Sequence, residues 1–256
     1  SQNGHHLLDL INEILDLTKI DSGTLKIKPE RIGIEYFIKY IHQKLDEHSP
    51  DKHTSFSVDI GKDVSKEIVV DIRRTEQVLR HLILNALKYT DKGKIVVKIN
   101  HVPSKDFLIS KWLHLMDVIS FSVEDTGIGI PKKMLKKVFE PFEQVDSSYA
   151  RRHGGTGLGL SVANQITTLL GGELCVESVL GKGSTFTLYL PLDYHDYEKI
   201  AMFYADTALV EVDAVGHVMV SKADGKLSVK SNASLEALTK AHKLSLQTIM
   251  SVIVMP

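Results

Sequence analysis

The feature that most constrains the fold of this chain is a pair of strand patterns joined by a short glycine turn. Residues 173–178 and 184–190 are rich in strand-forming residues, and the segment LGKG at 180–183 separates them. Strands joined so closely run antiparallel, because a parallel pair needs a crossover of a dozen or more residues. Helix and strand patterns are mixed along the rest of the chain. We therefore predict an α+β fold, a two-layer α/β sandwich with helices on one face of a mixed sheet, rather than a doubly wound parallel sheet.

The spacing of apolar residues predicts where the helices and strands lie. Steps of three and four residues indicate amphipathic helices at 4–20, 34–48, 72–89 and 158–170. Shorter strand patterns lie at 25–27, 55–60, 95–102 and 118–124, and residues 131–156 have the pattern of a loop with short helical pieces. The helix at 4–20 stands apart from the rest of the chain and is suited to pairing with other helices. After residue 192 we predict a small appended α+β module, with strands at 208–212 and 216–221 and a helix at 234–251.

Composition excludes several classes of protein. Among the 256 residues, 43% are hydrophobic and 25% are charged, which is ordinary for a soluble globular protein. The net charge of -1 gives no strong attraction to nucleic acid, so we expect no nucleic-acid partner. Cys175 is the single cysteine, which excludes an internal disulfide. No apolar run approaches the roughly 20 residues of a membrane helix. We expect a cytoplasmic chain, and because it does not begin with Met, membrane anchoring of a longer parent protein stays open.

A glycine-rich stretch, RRHGGTGLGL, stands directly before the helix at 158–170. Glycines there let backbone N–H groups approach a phosphate chain, and the start of a helix adds a favourable partial positive charge. The spacing matches neither a dinucleotide-binding fingerprint nor a P-loop. A flexible turn with no ligand is the alternative.

A second pattern, VEDTGIGIP at 123–131, places Asp125 at the end of a strand, with Gly127 and Gly129 directly after it. A carboxylate in this position can accept a hydrogen bond from an exocyclic amine such as adenine N6. The small residues beside it let a flat base lie against the backbone. A tight turn stabilised by the aspartate side chain is the alternative.

The helix EQVLRHLILNALKYT carries a third pattern. Gln77, His81, Asn85 and Lys88 recur at steps of four, four and three residues and so share one face. An asparagine there can give its carbonyl oxygen to Mg²⁺, and a lysine one turn on can meet phosphate. An ordinary solvated helix face is the alternative. The segment GKGSTF at 181–186 is a hairpin turn in which Thr185 could contact a base.

Five elements occur in a fixed order: the Asn85 helix, DTGIGI, FEPF, GTGLGL and GKGSTF. In this order they resemble the ATP-binding domain of sensor histidine kinases, the Bergerat-type fold that is shared with DNA gyrase and heat-shock chaperone ATPases. The resemblance covers residues 4–192, roughly three quarters of the chain. It implies a protein histidine kinase of a two-component system, with ATP and Mg²⁺ as cofactors. Such a kinase transfers the γ-phosphoryl group of ATP to a protein histidine for relay to a response regulator.

The resemblance also implies the roles of individual residues. Asn85 would bind Mg²⁺, and the catalytic residues would be Asn85, Lys88 and His81. Phe139 and Phe142 match a phenylalanine motif, and residues 143–156 match a mobile lid over the triphosphate. The implied ATP-binding set is Asn85, Lys88, Tyr89, Asp125, Gly127, Gly129, Ile130, Phe142, Arg151, Arg152, Gly155, Thr156, Gly157, Leu158, Gly159, Leu160 and Thr185.

The N-terminal segment HLLDLINEILDLTKIDSG resembles the second helix of the family's dimerisation hairpin. In the family the first helix carries the phosphoacceptor histidine, and that helix is absent from this chain. The resemblance therefore implies three parts: a partial hairpin at 1–24, the catalytic domain at 25–192, and the appended module at 193–256. It implies as partners an acceptor helix, a response regulator or receiver domain, and a second copy of the full-length protein. The appended module would be a truncated or degenerate receiver, since only Asp213 follows its first strand.

Position 81 departs from the family pattern, because many relatives have asparagine where this chain has His81. Its imidazole can still hydrogen-bond phosphate. The related ATPases have a glutamate at this turn that activates water, so its absence disfavours fast ATP hydrolysis. Gln144 stands where some relatives carry an arginine, and Arg151 and Arg152 could supply that charge. A non-catalytic module that binds nucleotide weakly and docks onto partners is the alternative.

Overall fold

The computed structural model of this chain describes residues 2–48, 54–103, 113, 116–143, 156–198, 208–212, 218–222 and 229–231. Two compact units divide the chain, Ser1–Tyr194 and His195–Pro256. The first contains α1 (Gln2–Asp21), β1 (Glu30–Gly33), α2 (Ile34–His48), β2 (Thr54–Ile60), β3 (Glu67–Val70), α3 (Ile72–Tyr89), β4 (Gly93–Val102), β5 (Val118–Asp125), α4 (Gly159–Leu169), β6 (Glu173–Val179) and β7 (Gly183–Pro191). A single 3₁₀ turn, Lys132–Met134, lies in the described part of the predicted loop.

A five-stranded mixed sheet with the order β2-β4-β5-β7-β6 forms the centre of the first unit. The β2–β4 pair is parallel and the other three pairs are antiparallel. The hairpin that the glycine turn predicts is present, with Val179 opposite Gly183. The predicted mixed sheet is therefore confirmed.

Three helices, α2, α3 and α4, cover one face of this sheet. Along β5 the residues Ile119, Phe121 and Val123 are fully buried, and the Phe121 ring meets Phe37 of α2 at 5.8 Å between centroids. The residues between them face the other side, where Ser122 hydrogen-bonds Thr187. This alternation follows from the two-residue period of a strand. It confirms the two-layer arrangement with helices on one face.

In the first unit one strand prediction is wrong, and two strands, β1 and β3, were not predicted. Residues 25–27 form no strand, although Leu25 is buried. The strand lies further on, at β1, and pairs antiparallel with β3. The apolar residue at position 25 therefore reflects side-chain packing rather than strand pairing. Only four residues long and without alternation, β3 carries too weak a pattern to be recognised.

The helix α3 begins and ends as its sequence pattern predicts. Asp71 caps it by accepting a hydrogen bond from the Arg74 N–H at 3.0 Å, and it also accepts one from the Lys28 N–H at 2.7 Å. The predicted apolar face is buried in the core and consists of Val78, Leu79, Leu82, Ile83 and Ala86. The polar face is thereby turned away from the sheet.

The first helix, α1, does not stand apart, contrary to the sequence-based expectation. Leu17 and Ile20 pack against the core of the first unit. The Asp16 carboxylate accepts hydrogen bonds from Arg74 at 3.0 Å and from Gln77 at 2.8 Å. An exposed apolar stripe remains on α1, formed by Ile11, Ile14 and Leu15.

The second unit contains an antiparallel sheet with the order β10-β9-β8, formed by β8 (Ala208–Val212), β9 (Val218–Lys222) and β10 (Val229–Ser231). The two strands predicted there are present, and β10 was not predicted. The predicted helix at 234–251 and Asp213 lie outside the described residues. Across the described part of the chain, no helix has the length and apolar character needed to cross a membrane.

Candidate nucleotide-binding cleft

A cleft of about 270 Å³ lies among α1, the polar face of α3, the end of β5, the start of β7 and the start of α4. It brings together residues from motifs that are far apart in the sequence. The predicted residues that line it are His81, Asn85, Lys88, Tyr89, Asp125, Gly129, Ile130, Thr156, Gly157, Gly159 and Leu160.

Asp125 provides a buried carboxylate at one end of the cleft, which we call the base end. Its residue is only 9% exposed, and one carboxylate oxygen accepts the Gly127 N–H at 2.8 Å. Burial raises the pKa of this carboxyl above its ordinary value, while backbone N–H groups of Gly127 and Ser184 partly oppose the rise. The carboxylate is thus fixed in orientation and suited to accept a hydrogen bond from a ligand amine.

The turn after Asp125 is pinned on both sides by backbone contacts. The Ile128 N–H donates to the carbonyl of Tyr89 at the end of α3, and the Gly181 N–H donates to the carbonyl of Ile128 at 2.7 Å. At Gly129, φ is +68°, and a Cβ would lie 2.1 Å from the Val179 carbonyl oxygen. Glycine is required there because the turn packs directly against the β6–β7 hairpin. The tight-turn alternative is therefore also true, and it serves to place Asp125.

The polar stripe of α3 is divided between two neighbours. Asn85 and Lys88 line the cleft, whereas Gln77 donates its side-chain N–H to Asp16 of α1. The stripe is therefore not an ordinary solvated face. Its second half offers an amide oxygen and an ammonium group to the cleft, and its first half holds α1.

His81 is a buried, neutral imidazole at the other end of the cleft. Burial lowers its pKa to about 3, and the positive charge of Arg80 acts in the same direction. Its Nδ1 lies 3.8 Å from a carboxylate oxygen of Glu13, and a Cβ on Gly159 would lie 3.0 Å from Nδ1. Its Nε2 is buried with no hydrogen-bond partner among the residues that the structure describes. At neutral pH this side chain can offer a hydrogen bond but no charge.

The start of α4 closes this end, which we call the phosphate end. The Leu158 N–H donates to the Thr156 hydroxyl at 3.1 Å, and that hydroxyl donates to Glu13 at 3.4 Å. At Gly157, φ is +71°, and a Cβ would lie 2.9 Å from the backbone of Phe142. This glycine is needed for a close approach between two backbone segments. The helix begins at Gly159 and presents its positive end to the cleft.

Several predicted site residues lie elsewhere. Gly127 donates its N–H to the Asp125 carboxylate, and Leu158 is buried. Phe142 is 73% exposed with φ of 65°. Thr185 faces the far side of the sheet, and Ser184 lines the cleft in its place, because adjacent strand residues face opposite sides. Gln144, Gly154, Gly155 and the two arginines at 151 and 152 lie outside the described residues.

Sequence reasoning missed a set of residues that also line the cleft: Glu13, Arg80, Leu84, Ile128, Met134, Val138, Glu143 and Ser184. Arg80 and Leu84 could have been found, since they precede Lys88 by two turns and one turn of the same helix. Ser184 follows from the strand register. For Glu13 there was no local signal, since it contacts a residue 143 positions away.

Comparison with known proteins places this cleft in a family. Residues 70–194 match the family described as histidine kinase-, DNA gyrase B- and HSP90-like ATPase. Histidine kinase 5 of Arabidopsis thaliana is 35% identical, over 74% of this chain and 22% of its own length. Hybrid signal transduction histidine kinase B of Dictyostelium discoideum is 34% identical, over 74% of this chain and 9% of its own length. The histidine-protein kinase BarA of Escherichia coli K12 is 30% identical, over 75% of this chain and 20% of its own length.

Solved structures agree with the fold. Full-length ShkA in complex with AMPPNP superimposes with a TM-score of 0.61 at 23% identity, over 74% of this chain and 36% of that one. The histidine kinase AdeS of Acinetobacter baumannii gives a TM-score of 0.56 at 21% identity, over 75% of this chain and 81% of that one. Residues 70–194 thus form a nucleotide-binding domain of this family. The chain belongs to the histidine kinases and is the ATP-binding catalytic part of such a protein. The predicted family and fold are confirmed, and the chain spans less than a quarter of the length of the three curated relatives.

Proposed function

We propose that this chain binds Mg-ATP in the cleft and transfers the γ-phosphoryl group to a histidine on a helix outside this sequence. The observation that carries the proposal is the pairing of two unlike ends in one cleft. Asp125 is a buried acceptor at one end, the start of α4 lies at the other, and Asn85 and Lys88 line the same cleft. A nucleotide has the matching polarity, with a base that donates a hydrogen bond and a chain of phosphates.

At the base end, the Asp125 carboxylate would accept a hydrogen bond from the exocyclic amine of adenine. The walls between the two ends are largely apolar and include Ile130, Met134, Val138 and Leu160. Such walls suit a flat aromatic ring, because they remove its faces from water. The residues of this end select the base and hold its plane.

At the phosphate end, the donor set fits a magnesium ion that reaches the site with phosphates. The Asn85 amide offers one oxygen, and within the described residues no group of three His, Cys, Asp or Glu side chains could hold a metal by itself. Magnesium commonly has few protein ligands and completes its shell with phosphate oxygens and water. When bound, Mg²⁺ would supply charge neutralisation for the phosphates.

The protein's part in phosphoryl transfer would be positioning and charge stabilisation. The Lys88 ammonium would contact phosphate oxygens, and the backbone N–H groups at the start of α4 would hold the chain from the opposite side. The acceptor imidazole nitrogen would then form the new bond to phosphorus as the bond to the ADP oxygen breaks. His81 would donate a hydrogen bond without carrying charge.

The proposed partners are an acceptor helix and a response regulator or receiver domain. The name of the Dictyostelium relative as a hybrid kinase supports the latter. The exposed stripe Ile11, Ile14 and Leu15 on α1 supports pairing with further helices, and so a partial dimerisation hairpin at 1–24 beside a catalytic domain at 25–192. In the segment 193–256, the antiparallel β8-β9-β10 order differs from the parallel sheet of a doubly wound receiver. We therefore favour a small appended module there.

A second candidate function is a non-catalytic module that docks onto partners. His81 favours it, because a neutral buried imidazole covered by Glu13 provides less for a phosphate than an open, charged group would. The base end argues against a non-catalytic module, because its buried Asp125 carboxylate is oriented to bind a ligand amine.

The test is label transfer in the full-length protein that supplies the hairpin. We expect γ-labelled Mg-ATP to give acid-labile, alkali-stable label on wild-type protein and none on Asn85→Ala. Asn100→Ala, an exposed asparagine on β4, serves as the matched control and should label normally. Nucleotide binding without any labelling would favour the non-catalytic module.

A further inference from the structure

A carboxylate from α1 reaches the phosphate end of the cleft. Glu13 accepts the Thr156 hydroxyl at 3.4 Å through one oxygen, and its other oxygen lies 3.8 Å from His81 Nδ1. The Glu13 side chain is only 13% exposed. Both contacts are to residues that line the cleft. Glu13 therefore belongs to the cleft even though it comes from a separate helix.

The position of Glu13 is fixed by the docking of α1 on α3. Asp16, three residues further on, accepts hydrogen bonds from Arg74 at 3.0 Å and from Gln77 at 2.8 Å. Residues three apart on a helix lie on the same face, so the two carboxylates point to the same side. Leu17 and Ile20 anchor the same helix in the core. This docking holds the backbone of α1 at Glu13 beside the cleft.

The place that Glu13 occupies favours an anion. The eleven-residue helix α4 begins there, with Gly159 facing the cleft, and its positive end attracts negative charge. His81 packs against Gly159 with its buried Nε2 lacking a hydrogen-bond partner among the described residues. A carboxylate and a terminal phosphate beside the same helix start would repel each other. A diphosphate is one charged group shorter and meets less of this repulsion.

We infer that Glu13 is a specificity-determining residue of the nucleotide cleft, whose carboxylate disfavours the terminal phosphate of a triphosphate relative to a diphosphate. The inference rests on the proposed binding of ATP. It follows that docked α1 and bound ATP oppose each other, whereas docked α1 and bound ADP are compatible. Mg²⁺ lessens the opposition, since it neutralises part of the phosphate charge.

The test is calorimetric titration of wild-type protein and Glu13→Gln with the ATP analogue AMPPNP and with ADP, each in Mg²⁺ and in EDTA. Glutamine keeps an oxygen for the Thr156 hydroxyl and removes only the charge. We expect Glu13→Gln to tighten AMPPNP binding about tenfold in EDTA, and less in Mg²⁺, as removal of one nearby charge implies. ADP binding should change by less than about twofold, since the extra phosphate is missing.

Two further variants separate charge from helix docking. Glu140→Gln removes an exposed carboxylate that does not line the cleft and should leave both affinities unchanged. Asp16→Asn weakens the hold on α1 with Glu13 intact, and it should tighten AMPPNP in the same direction but by less. Unfolding midpoints confirm that each variant is folded.

The inference is overturned if wild-type protein binds both nucleotides and Glu13→Gln leaves AMPPNP binding unchanged or weakens it. The inference is also overturned if Glu13→Gln tightens AMPPNP and ADP binding equally, because it states that Glu13 discriminates against the terminal phosphate. If wild-type protein binds neither nucleotide, the proposed function itself fails.

Discussion

The two ends of the cleft are built in different ways. The base end comes from the end of β5 and its turn, held by backbone hydrogen bonds to the end of α3 and to the β6–β7 hairpin. The phosphate end comes from three separate helices, α1, α3 and α4, and its contacts join side chains at 3.4 Å and 3.8 Å. Rigid, short backbone contacts suit recognition of one shape. Longer side-chain contacts between helices suit an end that binds either a triphosphate or a diphosphate.

The two ends differ in how they respond to movement of α1. Asp125 is oriented by its own turn, so it keeps its direction whatever α1 does. The position of Glu13 depends on the docking of α1, where Asp16 accepts hydrogen bonds from Arg74 and Gln77. We therefore expect substitutions at the base end to act on all nucleotides alike. Substitutions at the phosphate end should act according to phosphate number and metal.

The largest effect is expected from Asp125→Asn. The amide keeps the shape but loses the charge, and its NH₂ group can face the ligand amine with a clash of donors. We expect affinity for AMPPNP and ADP to fall about 100-fold, the scale of a lost hydrogen bond to a charged group. Titration calorimetry measures both affinities.

Glu124→Gln is the matched control for Asp125→Asn. Glu124 precedes Asp125 on β5 but faces the other side of the sheet, where it pairs with Lys98. It should leave binding unchanged. If Asp125→Asn binds like the parent, the assignment of the base end is wrong.

The next largest expected effect is a loss of stability at low pH, which reports on the burial of His81. Its pKa is about 3 in the folded chain against an ordinary 6.5, so only the unfolded chain takes up this proton between those values. Its contribution to stability is therefore complete above pH 6.5 and is lost as pH falls below it. Between pH 7.5 and pH 5 this costs about 2 kcal/mol of unfolding free energy. Urea denaturation at the two pH values measures the loss.

His81→Asn shows which part of that loss belongs to the imidazole. Asparagine does not titrate, so the variant should lose about 2 kcal/mol less stability between the two pH values. Glu13 and Arg80 face this side chain and are unchanged in the variant. Equal losses in parent and variant would mean that His81 is accessible to protons in the folded chain.

A smaller effect, confined to the phosphate end, is expected from Asn85→Ala. Loss of the amide oxygen removes the proposed protein ligand of Mg²⁺. We expect the strengthening of AMPPNP binding by Mg²⁺ to fall about tenfold, with metal-free binding retained. Titrations with Mg²⁺ and with EDTA separate the two. Loss of metal-free binding to the same extent would instead assign Asn85 to the nucleotide.

The smallest effect is expected when His81→Asn is tested for nucleotide affinity at neutral pH. The buried imidazole is neutral there, so an asparagine amide replaces one uncharged hydrogen-bonding group with another. Affinity for Mg-AMPPNP should be preserved or improve, by no more than about threefold. A large loss of affinity would give the imidazole a dedicated role.

The sequence predicted cleft residues at a strand end and along one helix, but not which of two neighbouring strand residues faces the cleft. Asp125, Asn85 and Lys88 could be placed because each lies at a strand end or at a fixed step along one helix. Thr185 was named where Ser184 lines the cleft, because a strand register that is off by one residue turns every side chain over.

Long-range contacts account for the rest. Glu13 contacts Thr156 across 143 positions, and no local pattern reports how one helix docks on another. The pairing of β1 with β3 has the same origin, since two four-residue strands carry little periodicity of their own. Periodicity therefore gave the five-stranded sheet and its helices, while tertiary docking determined how α1 enters the site.

The most direct test of nucleotide binding in the cleft is calorimetric titration of this chain with AMPPNP, with and without Mg²⁺. We predict binding in the micromolar range that Mg²⁺ strengthens. No detectable binding in a folded sample would contradict it, and would turn attention to α1 and the segment after residue 192 as docking elements.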